Sequence, residues 1–161
     1  MISGYKCFNK GLVNKYGEVF EIGKVYHVNG DIKFHKNGFH MCTNLEDTLR
    51  YFDAFNEEVD ITSVIGYGNI NKYDDEYNEF FDMYSVEYLK LLTLLKREEI
   101  ISYALKLPSM RLKRFISLFK LTKEELELFR EKFKKDSMIQ TTMDYYQDEK
   151  SKLYIKKKGI V

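Results

Sequence analysis

KNGFHMCTNLEDTLRYF, residues 36–52, changes its periodicity halfway along. In its first part Phe39 and Met41 would leave a strand on one side, and His40 and Cys42 on the other. In its second part Leu45, Leu49 and Phe52, continuing to Phe55, recur at helical spacing. Thr43 and Glu46 have the spacing of a capping box, with Thr43 as N-cap and Glu46 reaching back. Ahead of the switch, Asn37-Gly38 reads as a two-residue hairpin turn. A strand feeding directly into a helix over 44–55 predicts an α+β fold, with a small, mostly antiparallel sheet carrying one packed helix. Phe39 and Met41 then enter the core. His40 and Cys42 line the opposite face, under the helix flank or in a shallow groove.

Working outward, the first seventy residues read as mostly strand. GYKCFNKGLV alternates Tyr5, Cys7 against Lys6, Phe8, and GEVFEIGKVYHVNGD sets apolar residues between glycines, with a turn at Asn29-Gly30-Asp31. VDITSVIGYGNI predicts a strand over 59–65, with a bulge or strand end at Gly66 and Gly68. NKYDDEYNEFFD reads as an acidic, aromatic loop. Residues 83–91 fit either period. A strand is favoured there, followed by a helix over 95–107 that stops before Pro108.

Leu112, Phe115, Ile116 and Phe119 form a stripe behind the N-cap candidate Ser109. Thr122 to Glu125 is a second capping box, and Leu126, Phe129 and Phe133 continue its helix. The short link at 120–122 predicts that these two helices pack as a hairpin. The expected organisation is a mixed module at 1–95, a helical extension at 96–150 and a basic tail at 151–161.

Composition limits the function classes. The chain has 161 residues, 44% of them hydrophobic and 16% aromatic, enough for a core. No apolar run approaches the roughly 20 residues of a membrane helix, and no signal peptide is read at the start. Two cysteines without a secretion signal predict reduced thiols in a cytoplasm. One Pro and abundant Lys, Asn, Tyr and Ile suggest AT-rich coding DNA, as in a low-GC bacterium or its phage. Charge is uneven: residues 46–99 hold 14 acids against 5 bases, and residues 109–135 hold 9 bases against 4 acids.

Catalytic patterns are few. Cys7, His27, His35, His40 and Cys42 could approach one another in a small sheet, but CxxC, HxxxH and HExxH spacings are absent, and no metal is predicted. His40 and Cys42 sit two residues apart, roughly 6–7 Å along a strand, long for a thiolate–imidazole pair. No Walker A, GxGxxG or GxSxG motif occurs. No catalytic residue and no cofactor is assigned. Arg111, Lys113 and Arg114 cluster at one helix start, but Glu124, Glu125 and Glu127 open the next helix and would repel phosphates. Direct DNA contact is therefore the less favoured option.

GYKCF, FEIGKVY, NGFHMC and VIGYGNI together resemble an uncharacterised domain of phage and bacterial proteins, over roughly the first three-fifths of the chain. LKLLTLLKREEI fits the same resemblance, and Gly38-Phe39-His40-x-Cys42 is its most specific piece. The resemblance implies a fold and a phage-like setting, without a mechanism. GFHMCTNLEDTLRYF followed by VDITSVIGYGNI also resembles the strand-then-helix element of ADP-ribosyltransferases. That resemblance implies NAD as substrate, with Tyr5, Lys6 and Cys7 where the family places a His or Arg, and Glu87 as the one conceivable acid.

The leading expectation is a small phage or mobile-element protein that binds a host protein or nucleoprotein, as an anti-defence inhibitor. An NAD-using, degenerate ADP-ribosyltransferase is the alternative. The interaction candidates are Tyr73, Tyr77, Phe80 and Phe81, with Arg111, Lys113 and Arg114; His40 and Cys42 are groove candidates.

Overall fold

Four strands close a ring. β1 (Ile2–Asn9), β3 (Phe39–Cys42), β5 (Met83–Leu94) and β4 (Val59–Lys72) pair antiparallel in that order, and β4 returns to β1. β2 (Val25–His27) adds to β5 beyond the end of β3, with Val25 opposite Lys90 and His27 opposite Tyr88. The computed structural model describes residues 1–33, 36–74 and 82–148. The chain divides into two compact units, Met1–Asp53 with Glu57–Leu95, and Ala54–Asn56 with Lys96–Val161. The α+β class read from the sequence holds.

The ring is not uniform. β1 runs against β4 through eight successive pairs, from Ile2↔Gly66 to Asn9↔Val59. Against β3 it makes one pair, Tyr5↔Cys42. β4 extends seven residues past the expected end at Ile65, because Gly68 takes φ +79 and a register shift between Tyr67 and Ile70 lets the strand bend on around β5.

Inside the ring lie Phe8, Phe20, Met41, Val64, Val86, Leu89 and Leu91. Met41 fits because its neighbours have no Cβ. A Cβ on Gly66 would stand 2.6 Å from Met41 Sδ, and one on Gly4 2.8 Å from Met41 Cε. Phe39 and Met41 do enter the core, as the alternation predicts. Cys42 leaves on the other side and packs with Met83 and Tyr73.

Several local expectations are corrected. The helix expected over 44–55 is one turn, α1 (Leu45–Thr48), followed by a 3-10 turn at Leu49–Tyr51. Asn44, not Thr43, is its N-cap, because the Thr43 hydroxyl donates to the Asp82 carboxylate instead. Asn37-Gly38 does not form a two-residue hairpin. Asn37 bridges Lys33, and its side-chain amide donates to the carbonyls of Asn29 (2.8 Å) and Asp31 (3.1 Å). Much of the stretch read as strand between β1 and β3 is loop, tied by the isolated bridges Asn9↔Val13 and Val13↔Val19. Asp60 anchors that loop: its carboxylate accepts from Gly11 N–H (2.7 Å) and Leu12 N–H (3.1 Å).

The second unit holds α2 (Arg97–Ala104), α3 (Ser109–Leu118), α4 (Lys123–Lys132) and α5 (Ser137–Gln147). The 83–91 ambiguity resolves as strand, and α2 ends before Pro108 as expected. The capping box at Thr122 and Glu125 is present. Pro108, not Ser109, is the N-cap of α3; the Ser109 hydroxyl donates to Asp136 at 2.5 Å. α3 packs on α5 rather than forming a hairpin with α4. Gln147 holds that arrangement: its amide donates to the carbonyls of Ile116 (2.7 Å) and Phe119 (2.9 Å) and accepts from Leu121 N–H (3.0 Å). Among the described residues, no helix is long and apolar enough to cross a membrane. The basic tail expected at 151–161 lies outside the described residues.

Candidate functional site

Where β1 and β3 splay from their single pair, the first unit has a cleft of about 740 Å³. Its walls come from β1, β2, β3, the segments before and after β2, residues of the 48–52 turn and Met83 at the start of β5. Phe20, Tyr26 and Phe39 form an aromatic wall, with ring centroids 4.5 Å apart for Phe20–Tyr26 and 6.2 Å for each of the other two pairs. Such a volume and lining suit a small-molecule site.

Lys6 crosses the seam. It lies on the core face of β1, in register with Thr62 and two residues before Phe8. Its ammonium donates to the His40 carbonyl at 2.6 Å and lies 5.6 Å from the Phe8 ring centre. Burial pulls its pKa down to about 8, against a smaller upward effect of Cys42 and Cys7. Lys15 and Lys36 also line the cleft, and Glu18 is the one carboxylate among its lining residues. Glu18 accepts from the Asn14 side-chain amide at 2.7 Å.

The cleft thiols are inert by environment. Burial pushes Cys7 up to about 12. Burial, and then the charge of Asp47, push Cys42 up as well. Both are free and buried. Neither has the low pKa of a nucleophilic cysteine.

His40 and Cys42 both line the cleft. Tyr73 packs beside Cys42 and Met83, and its backbone N–H donates to the Met83 carbonyl at 2.9 Å. Tyr77, Phe80 and Phe81 lie outside the described residues, as does His35. Arg111 donates to the Tyr103 hydroxyl at 2.7 Å; Lys113 is exposed and Arg114 half-buried. Glu87 is not a cleft residue: it accepts from Asn69 N–H at 2.8 Å and lies 3.5 Å from His27 Nε2. Among the described residues, no group of three or more His, Cys, Asp or Glu is placed to hold a metal ion.

Sequence reasoning met Lys6 as a site residue only through the ADP-ribosyltransferase resemblance and did not count it among the interaction or groove candidates. The available signal was a lysine on the core-facing side of an alternating strand, beside Phe8.

No curated protein and no solved structure matches the chain. The model of one family, DUF7666, matches residues 2–88, which contain β1 to β4, the first half of β5 and every cleft-lining residue. The chain belongs to DUF7666, a domain of unknown function, and its cleft lies wholly inside the matched domain.

Proposed function

We propose that this is a non-enzymatic binding protein of a phage or mobile element, acting in the host cytoplasm on a host protein or nucleoprotein as an inhibitor of a defence component. One observation carries the reading: the division into two units is also a division of charge. Residues 1–53 and 57–95 hold nine Lys and Arg against fifteen Asp and Glu, a net of −6. Residues 54–56 and 96–161 hold seventeen against ten, a net of +7. Opposed fields on separate units steer a partner that itself presents both signs, as a basic protein bound to nucleic acid does. Nucleic acid alone is less well served. Arg111 is engaged by Tyr103, and the acids opening α4 include Glu125, which pairs with Arg97 at 2.7 Å.

The test is capture from host lysate at low and raised salt. The wild type is compared with a Lys113→Glu, Arg114→Glu double variant and a Tyr73→Ala, Tyr77→Ala double variant. One retained partner, weakened by salt and by charge reversal, is expected. A lysate with no specific partner at either salt, or a partner indifferent to every variant, rejects the reading.

An NAD-using enzyme is the second reading, favoured by the cleft's size and aromatic wall. The position of Glu87 outside the cleft weighs against it. NAD should raise the melting temperature if it binds. An unchanged transition at millimolar NAD removes this alternative.

A further inference from the structure

The cleft differs in charge from the unit that contains it. That unit has a net charge of −6, yet three lysines and one glutamate line the cleft. Elsewhere in the unit every lysine but Lys90 is neutralised locally. Lys10 lies 3.4 Å from Asp60, Lys24 3.0 Å from Glu21, Lys33 4.0 Å from Asp31 and Lys72 3.1 Å from Asp82. Lys6, Lys15 and Lys36 make no ion pair among the described residues. In an acidic unit with carboxylates in excess, three of the four lysines without an ion pair among the described residues line one cavity; the fourth, Lys90, lies outside it.

Lys6 is the best placed of the three. An ammonium has three N–H donors, and Lys6 uses one on the His40 carbonyl. A partly desolvated ammonium without a counter-charge is costly to keep, and an incoming anion would relieve that cost. In the same cleft the half-buried rings of Tyr26 and Phe39, backed by the buried ring of Phe20, offer faces and edges to a flat apolar group. Lys15 lies above Tyr16 (5.4 Å) and Tyr51 (5.8 Å) at the same cleft, adding positive field without a fixed partner.

From this arrangement we infer that the β1–β3 cleft binds a small planar organic anion, a single aromatic ring system carrying one phosphate or carboxylate, with Lys6 on the anionic group and the Phe20–Tyr26–Phe39 wall on the ring. The inference is independent of the host-partner reading, which rests on the charge of the two units.

The test uses the full-length protein and five probes in calorimetric titration. The probes are 5′-AMP and indole-3-acetate, their uncharged counterparts adenosine and indole-3-acetamide, and inorganic phosphate as an anion without a ring. At least one ring-bearing anion is expected to bind, at least tenfold more tightly than its uncharged counterpart and than phosphate. Binding of AMP alone identifies phosphate as the anionic group, and binding of indole-3-acetate alone identifies carboxylate. The bound compound should slow reductive methylation of Lys6 in the wild-type protein, read by mass spectrometry, and Lys6→Gln should weaken it at least tenfold. The methylation readout needs no variant, so it decides the matter even if Lys6→Gln folds poorly. The inference is overturned if neither ring-bearing anion binds, if the uncharged counterparts bind as well, or if binding leaves Lys6 unprotected.

Discussion

The ammonium of Lys6 reaches across the seam of the ring to the carbonyl of His40, 2.6 Å away, beside the single pair Tyr5↔Cys42 that joins β1 to β3. A side chain thus spans strands that share one residue pair. Because burial pulls this ammonium down to about 8 from an ordinary 10.5, the folded protein holds the charged form at a cost. Below pH 8 Lys6 is protonated in both states, and the cost is fully present. Between about pH 8 and 10.5 the unfolded chain binds the extra proton, so stability rises with pH through that window. Replacing Lys6 by the uncharged Met removes the penalty and also the hydrogen bond. Relative to Lys6→Met, the wild type should therefore gain stability, on the order of 1–3 kcal/mol, as pH is raised from 7 to 10. Paired urea titrations at several pH values measure this, and a constant difference across the window contradicts it.

Met41 occupies space that exists because Gly4 and Gly66 lack side chains. Gly66→Ala should destabilise by about 1–3 kcal/mol, as expected for an overpacked core. Adding Met41→Ala should recover part of the loss, so that the double variant is less destabilised than the sum of the two singles. Strict additivity of the three melting shifts would show that Gly66 is needed for some other reason.

Gln147 satisfies three backbone groups at the end of α3 and in the link that follows. Gln147→Leu keeps the bulk and leaves those groups without their partner, which should cost about 2–4 kcal/mol. The second unit's helices should also exchange their amide hydrogens faster. Unchanged protection at Ile116 to Leu121 would argue that water replaces the amide.

Cys7 and Cys42 should resist alkylation. With Cys7 pushed up to about 12 and Cys42 also raised, both thiols are neutral and buried at neutral pH. Iodoacetamide at pH 7.5 should leave the native protein unlabelled over minutes and label both sites in 6 M urea. Rapid native labelling of Cys42 would point to a reactive thiol and reopen a catalytic role for the His40–Cys42 strand.

Local chemistry made much of this protein legible in the chain itself. Strict alternation placed Phe39 and Met41 inside; apolar spacing and the Thr122–Glu125 box placed α3 and α4; Gly68 marked the bend in β4. These are properties of residues a few positions apart, where side-chain direction follows from backbone period. What the chain alone left undecided required distant groups. Thr43 was free to cap a helix until Asp82, 39 residues on, took its hydroxyl. Ser109 lost its expected role to Asp136, and the expected hairpin of α3 with α4 gave way to packing on α5, with Gln147 bound at its end. Only ring closure put Lys6 against His40 and brought the aromatic wall and three lysines to one cleft, because cavities and buried charges arise from contacts between segments far apart in sequence.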